Sequence, residues 1–282
     1  MILKRNLLFA AALVALATVP AKAVVLISDN FATFSDGTLA GQGGYTAYAA
    51  STTSPLQVVG GRVVIPNLTP AATTDNQDVI KSVGTPIVTP GAGTASAFVG
   101  MNLRVNTAPL ATNSYFFATS DALATGMGVF QNHRITVRPD ASGTGFNFGV
   151  RVNGQGGNPF AFGGQLPLGS FFSIVAELNL TAGAPNDSVR LFVNPTSTDL
   201  ASQTPYVTVT AGTGTADVTQ IAGVVFSQFA SATTGQSGIE ITDLRVADNF
   251  AQAVVPETST VALAGLGVLP LALVAIRRRK AA

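Results

Sequence analysis

Between Val24 and Val255 the sequence holds two glutamates, Glu177 and Glu240, and one histidine, His133. Two carboxyl groups hydrolyse a glycosidic bond when they flank it about 5 to 10 Å apart, one protonating the leaving oxygen and the other attacking or activating water. Glu177 alternates with Val175 and Ser173, and Glu240 lies between Ile239 and Ile241, so both stand in strand-like runs. Solvated carboxylates on strand faces explain them better than a catalytic pair. A single histidine removes most zinc sites and any His-paired nucleophile not built on that residue. His133 shares strand parity with Ile135 and Val137, which places it on the inward face or at a strand end. Arg134 and Arg138 then share the opposite face, where they stand as isolated wet cations or meet an acidic sugar. Cysteine is absent, which excludes thiolate chemistry and disulfide staples and leaves the domain to rest on its core.

Two further chemistries have residues to draw on. Asp29, Asp243 and Asp248 would supply hard oxygen ligands for a structural calcium ion if the two ends of the body meet, although no Asp-x-Asp-x-Asp loop accompanies them and ordinary turn and bulge acids are the alternative. No other cofactor is expected. Sugar stacking needs flat aromatic faces with polar groups beside them. Tryptophan is absent, so the platforms would be Tyr45, Tyr48, Tyr115 or members of the phenylalanine set, most of which read as core.

The elements that must position these residues are short β-branched and aromatic runs separated by Gly, Pro, Asn, Asp, Ser and Thr clusters, with no amphipathic stretch long enough for a substantial helix. The body is therefore all-β. Strands are expected over 56–59, 62–65, 97–105, 114–118, 129–137, 146–152, 171–180, 189–193, 206–210, 221–229 and 239–246. Alternation is clear where Ala97, Val99, Met101, Leu103 and Val105 share one face, and where Phe146, Phe148, Val150 and Val152 oppose Asn147 and Arg151. Near Asp243 the apolar phase slips, which predicts a bulge or a switch of sheet. Val59-Gly60-Gly61-Arg62 and Val152-Asn153-Gly154 carry hairpin signals, and Ser142-Gly143-Thr144-Gly145 turns the chain before Phe146. This many strands in one domain predict a two-sheet antiparallel jelly-roll sandwich over residues 24–253.

The ends read differently. Lys4 and Arg5 precede an apolar run from Leu7 to Val19, and Ala21-Lys22-Ala23 gives the small-x-small pattern of a signal peptide over 1–23, cut by signal peptidase after Ala23. At the other end Val261 to Ile276 is uncharged and is followed by Arg277, Arg278, Arg279 and Lys280. A helix over 260–276 covers roughly 25 Å, enough to span a membrane with snorkelling arginines. The four cations would stay in the cytoplasm and leave the body outside it. With both ends set aside, eight Lys plus Arg face thirteen Asp plus Glu, a net charge of −5 in place of the whole-chain +1, and no basic patch for nucleic acid remains.

Before the span stands Val255-Pro256-Glu257-Thr258-Ser259-Thr260. Box, apolar span and basic end together, over residues 254–282, resemble the PEP-CTERM sorting tail of Gram-negative, exopolysaccharide-producing bacteria. Thr258 departs from the Pro-Glu-Pro pattern at its third position. The resemblance implies that Pro256, Glu257 and Thr258 are read by an exosortase, a membrane-embedded transpeptidase. The chain would be held at the inner membrane and then passed to the cell surface, extracellular matrix or biofilm. Within the body, Asp29-Asn30-Phe31, Gly43-Gly44-Tyr45, Val59-Gly60-Gly61-Arg62 and Ile241 to Ala247 resemble concanavalin-A-like, laminin-G-like domains, which implies that first and last strands lie side by side. Such sandwiches host carbohydrate binding. The expectation is thus an exported, non-enzymatic surface or matrix protein with weak contact to extracellular polysaccharide. The rival is a secreted glycoside hydrolase-like enzyme on the same fold, although Glu177-Leu178-Asn179 lacks the second glutamate of a laminarinase-type Glu-x-Asp-x-x-Glu strand.

Overall fold

A computed structural model describes residues 23–47, 55–67, 77–109, 114–123, 131–152, 160–183, 186–212, 217–228 and 237–255. Residues 1–22, Tyr48, Asn153, Gly154, the sorting residues Pro256, Glu257 and Thr258, the 260–276 span and the cations at 277–280 lie outside the described residues. Among those described, no helix is long and apolar enough to cross a membrane.

Two antiparallel sheets pack face to face. One runs β15 (Val207–Thr210), β14 (Ser188–Val193), β13 (Phe171–Thr181), β7 (Thr94–Thr107), β17 (Gly238–Ala247), β5 (Val63–Ile65), β4 (Gln57–Val58) and β2 (Gly37–Thr38), with β1 (Val25–Asn30) joined to β17. The other runs β11 (Ala161–Phe162), β10 (Gly145–Arg151), β9 (Gln131–Pro139), β8 (Ser114–Ser120), β16 (Gln220–Phe226), β6 (Val79–Val88) and β3 (Tyr45–Ala47), with β12 (Leu166–Pro167) joined to β10. The first and last strands pair, as expected: Val25 faces Ala247 and Asn30 faces Asp243.

Alternation explains the sandwich. On β7, Ala97, Val99, Met101, Leu103 and Val105 all point between the sheets and are fully buried. They meet Phe146, Phe148 and Val150 from β10 and Ile174, Ala176 and Leu178 from β13 in one continuous core. Phe146 and Phe148 pack edge to face at 4.9 Å, and Phe172 completes a trio with them at 5.8 and 6.2 Å. Such contacts add to the burial term, which is itself about 25 cal/mol per Å² of apolar surface.

The phase slip at Asp243 is a bulge. Ile241 pairs with Leu103 and Asp243 with Asn102, leaving Thr242 as the extra residue. Its hydroxyl donates to the Asp243 Oδ2 at 2.8 Å and lies 3.3 Å from the Asn102 carbonyl. With that one residue absorbed, Ile239, Ile241, Leu244 and Val246 all reach the core. The Val59–Arg62 turn is closed by reciprocal backbone bonds of 2.9 and 3.2 Å, with Gly60 and Gly61 at φ 55° and 75°, the left-handed pair that a two-residue hairpin needs. Between β9 and β10 the turn is held by Asp140, whose carboxylate accepts from the Gly145 N–H at 3.0 Å and from the Ser142 hydroxyl.

Six strands escape the sequence pattern: β1, β6 and the short edge pieces β2, β3, β11 and β12. β6 is interrupted by Gly84-Thr85-Pro86, and the structure takes up the interruption as a loop in the ladder: Ile87 and Ser82 pair with Ile221 and Gly223, with Gly84 at φ 80° between them. β1 carries polar Ser28, Asp29 and Asn30 among its six residues, so no apolar run marks it. The strand expected over 221–229 ends at Phe226.

Past β17 the chain forms α1 (Phe250–Ala253), begun by Asn249, whose side chain accepts from the Gln252 N–H at 3.0 Å. This turn lies on the outer face of the nine-stranded sheet. Phe250 packs edge to face on Phe192 at 5.2 Å and Phe98 at 6.1 Å, forming a second apolar cluster with Val175, Ala247 and Ala253.

Candidate functional site

Each sheet turns one face to the core and one outward, and the outward faces carry the charged residues. On the nine-stranded sheet, Glu177 stands opposite Arg190 and forms an ion pair with its Nε. Only 4% of Glu177 is exposed, so it is not the solvated carboxylate that alternation suggests: α1 and its apolar cluster crowd the same face and the Arg190 guanidinium replaces the water. Glu240 accepts from Arg104 at 2.9 Å, Arg62 at 3.0 Å and Asn106 at 2.8 Å. Burial acts to raise its carboxyl, but the hydrogen bonds from Arg104 and Asn106 and the two guanidinium charges outweigh burial and hold it below the usual range. Phe171 lies under both guanidiniums, 5.1 Å from Arg104 and 5.8 Å from Arg62.

The two glutamates do not form a pair. Glu177 is level with Phe98 of β7 and Glu240 with Arg104, six residues along the same strand. At the strand rise this is about 20 Å, beyond the roughly 5 to 10 Å of glycosidase carboxyls. Arginines neutralise both.

The outward face of the eight-stranded sheet is arranged otherwise. Counting away from the Asp140 turn brings Arg151 of β10 directly opposite Arg134 of β9, and Asn147 opposite Arg138. Arg134 is adjacent in turn to Ala118 of β8. Each arginine lies over an aromatic ring: Arg134 on Tyr115 at 4.3 Å, Arg138 on Phe162 at 3.9 Å and Arg151 on Phe160 at 5.0 Å. Small residues make this possible. A side chain at Gly149 would collide with the Phe162 ring, which lies over it beside Thr136. Arg138 Nε donates to Asn147 Oδ1 at 3.4 Å, and Asn147 Nδ2 donates to the Gly163 carbonyl at 3.2 Å.

Electrostatically this face is under tension. Desolvation lowers the Arg134 guanidinium, and the charges of Tyr115 and Asp78 act against that shift. Arg151 is lowered by desolvation first and then by the charge of Arg134 beside it. Buried Nε atoms of both arginines and the Thr136 hydroxyl have no hydrogen-bond partner. None of the ion pairs among the described residues involves Arg134, Arg138 or Arg151; those pairs are Arg62 and Arg104 with Glu240, Lys81 with Asp29, and Arg190 with Glu177.

Other expected residues have other places. His133 points inward as its parity indicates, 2% exposed, with Nδ1 3.0 Å from the Thr119 hydroxyl, and desolvation lowers it to about 4. Tyr45 is no platform for sugar: it is buried between the sheets, stacked on Phe226 at 5.9 Å, its hydroxyl donating to Asp29 at 2.8 Å. Asp29 also binds Lys81 at 2.7 Å. The three aspartates are not gathered. Asp29 sits level with core-facing Leu244, Asp243 belongs to the opposite face and accepts from Thr242, and Asp248 accepts from the Val24 N–H at 2.9 Å. β-Alternation and the Thr242 bulge separate Asp29 from Asp243, and four residues of β1 separate Asp29 from the end where Asp248 lies. Among the described residues no cluster of three or more His, Cys, Asp or Glu forms. Arg151, Phe160 and Phe162 are additions to the expected set. Arg151 was legible as a wet-face residue of its strand, and counting out from the turn gives its partner.

No family model matches the chain, and no curated protein matches it. Similar solved structures include the CBM2 module of the Lactobacillus casei BL23 phage J-1 evolved Dit, at 12% identity and a TM-score of 0.48, covering 83% of this chain and 98% of that one. The carbohydrate recognition domain of Emp47p is similar at 10% identity and a TM-score of 0.45, covering 82% and 98%. An endo-beta-1,4-glucuronan lyase from the fungus Trichoderma reesei is similar at 11% identity and a TM-score of 0.46, also covering 82% and 98%.

Proposed function

We propose that this chain is an exported, non-enzymatic sandwich protein of the concanavalin-A-like, laminin-G-like kind that contacts extracellular polysaccharide through the outward face of its eight-stranded sheet. The signal peptide and the PEP-CTERM-like tail deliver it through the inner membrane to the cell surface or matrix, with signal peptidase and an exosortase as processing partners. The observation that carries the binding reading is the set of three arginine-aromatic stacks on β8 to β11. The half-buried rings of Phe160 and Phe162 and the guanidiniums of Arg134, Arg138 and Arg151 supply the apolar surface and directional donors that sugars require. The separation of Glu177 from Glu240, each neutralised by arginine, supports binding without hydrolysis.

Native affinity electrophoresis through gels containing neutral or acidic polysaccharides tests the binding reading. Retardation in at least one gel, with no release of reducing sugar, is expected. Unretarded migration in all of them contradicts it. Mass spectrometry of both termini from the exporting host tests the delivery: a new N-terminus at Val24 and loss of the residues beyond the box are expected, and an intact Ala282 contradicts exosortase processing.

A further inference from the structure

We infer that Arg134 and Arg151 form a binding site for a carboxylate, so that the polysaccharide this face takes is an acidic, carboxylated one. The inference rests on the polysaccharide reading above and narrows it to a chemical class.

The bookkeeping of cations carries it. The body contains eight Lys and Arg residues against thirteen Asp and Glu, an excess of acid that gives every cation a choice of partners. Four of them, Arg62, Lys81, Arg104 and Arg190, take carboxylates. Arg245 donates to the Val254 carbonyl at 3.3 Å. The other three are the arginines of the eight-stranded sheet's outward face, and two of these are set directly opposite each other. Side chains so placed have Cβ atoms about 5 Å apart, and like charges there repel. A folded domain rich in acid that still sets two partly dehydrated guanidiniums directly opposite each other, neither in an ion pair among the described residues, leaves room for an anion between them.

The geometry fits a carboxylate. A guanidinium presents a planar fork of N–H donors that matches two carboxylate oxygens, and two neighbouring forks can hold one carboxylate or adjacent ones along a chain. Stacking on Tyr115 and Phe160 fixes the planes of the two forks and lowers the entropy lost on binding. Asp78 acts on Arg134 in the direction of keeping it charged, and so ready for the anion.

The full chain, purified in detergent, is titrated with polygalacturonate, neutral dextran, dextran sulfate and poly(dT), alongside Arg134→Gln, Arg151→Gln, Arg151→Lys and Arg62→Gln. Polygalacturonate should bind more tightly than dextran, and more weakly as salt rises. Arg134→Gln and Arg151→Gln should each lower its affinity by about tenfold or more. Arg151→Lys should fall between, because it keeps charge but loses the fork. Arg62→Gln, on the other sheet, should bind as wild type does. Thermal melts of each variant confirm folding, and the comparison of polysaccharides needs no variant at all. Dextran bound as well as polygalacturonate, or both glutamine variants binding normally, overturns the carboxylate site while leaving polysaccharide binding in place. Equal binding of dextran sulfate or poly(dT) overturns the carboxylate class in favour of a general polyanion. No binding to any polysaccharide overturns both readings together.

Discussion

The two outward faces of the sandwich have the same backbone geometry and similar ingredients, yet they resolve their charges in opposite ways. On the nine-stranded sheet, Glu177 and Glu240 are matched to Arg190, Arg104 and Arg62, and α1 closes over the centre. Gly100 makes that closure possible, since any side chain there would collide with the Ala253 carbonyl. On the eight-stranded sheet, three arginines rest on aromatic rings and two of them face each other. On the first face both glutamates are neutralised within the chain, although the buried Arg104 Nε has no partner there. On the second, no arginine forms an ion pair among the described residues, and two guanidiniums stand opposite each other.

The largest expected break in this contrast is at the covered face. Phe250→Ala removes the ring that packs on Phe192 and Phe98, and should cost about 3 kcal/mol in denaturant unfolding. Limited proteolysis should then cut after Asp248 faster than in wild type. A melt unchanged by this substitution would mean that α1 does not cover the sheet.

The interior side of the other sheet is sensitive to pH. His133 is buried on the inward side of β9, and its folded value of about 4 is below the ordinary 6.5 because burial disfavours the imidazolium. The unfolded chain therefore takes up the proton first as pH falls. Stability should be full above about pH 7, decline through the window from 6.5 to 4 by about 3 kcal/mol, and level off below it. In His133→Gln that portion of the decline should vanish when unfolding is measured across the window, whereas the acid limb due to Glu240, whose depressed carboxyl supports folding until it is protonated, should persist.

Smaller effects sharpen the comparison. Glu177→Gln should destabilise by about 2 kcal/mol, since it takes a charged acceptor from Arg190 at a buried position. Arg151→Gln should leave the melting temperature unchanged or raise it slightly, within about 0.5 kcal/mol, because it relieves repulsion at Arg134. Equal losses for the two substitutions would remove the difference between the faces.

Much of this was legible in the sequence where a physical rule had one outcome. The alternation of β7 fixes its core face because period two leaves no other phase, and the slip at Asp243 had to be a bulge if Ile239, Ile241, Leu244 and Val246 were all to be buried. Gly60-Gly61 announced its turn through backbone freedom. β6 stayed hidden because Gly84 and Pro86 erase alternation, and the ladder tolerates them only through partners far along the chain. The covering of Glu177 was hidden for a similar reason: nothing local to Phe250 says which surface it will meet. Tyr45 and Tyr115 are the same residue type, and only the sheet register sends one into the core and the other under Arg134. The pairing of Arg134 with Arg151 was within reach, because the turn at Ser142 to Gly145 sets the register of both strands.

The most direct test of the difference between the faces is hydrogen-deuterium exchange of the full chain with and without polygalacturonate. New protection is expected in β8, β9, β10 and the segment through Phe160 and Phe162 alone, with β7, β13 and β17 unchanged. Protection appearing on β7, β13 and β17 while β8 to β10 stay unaltered would contradict it.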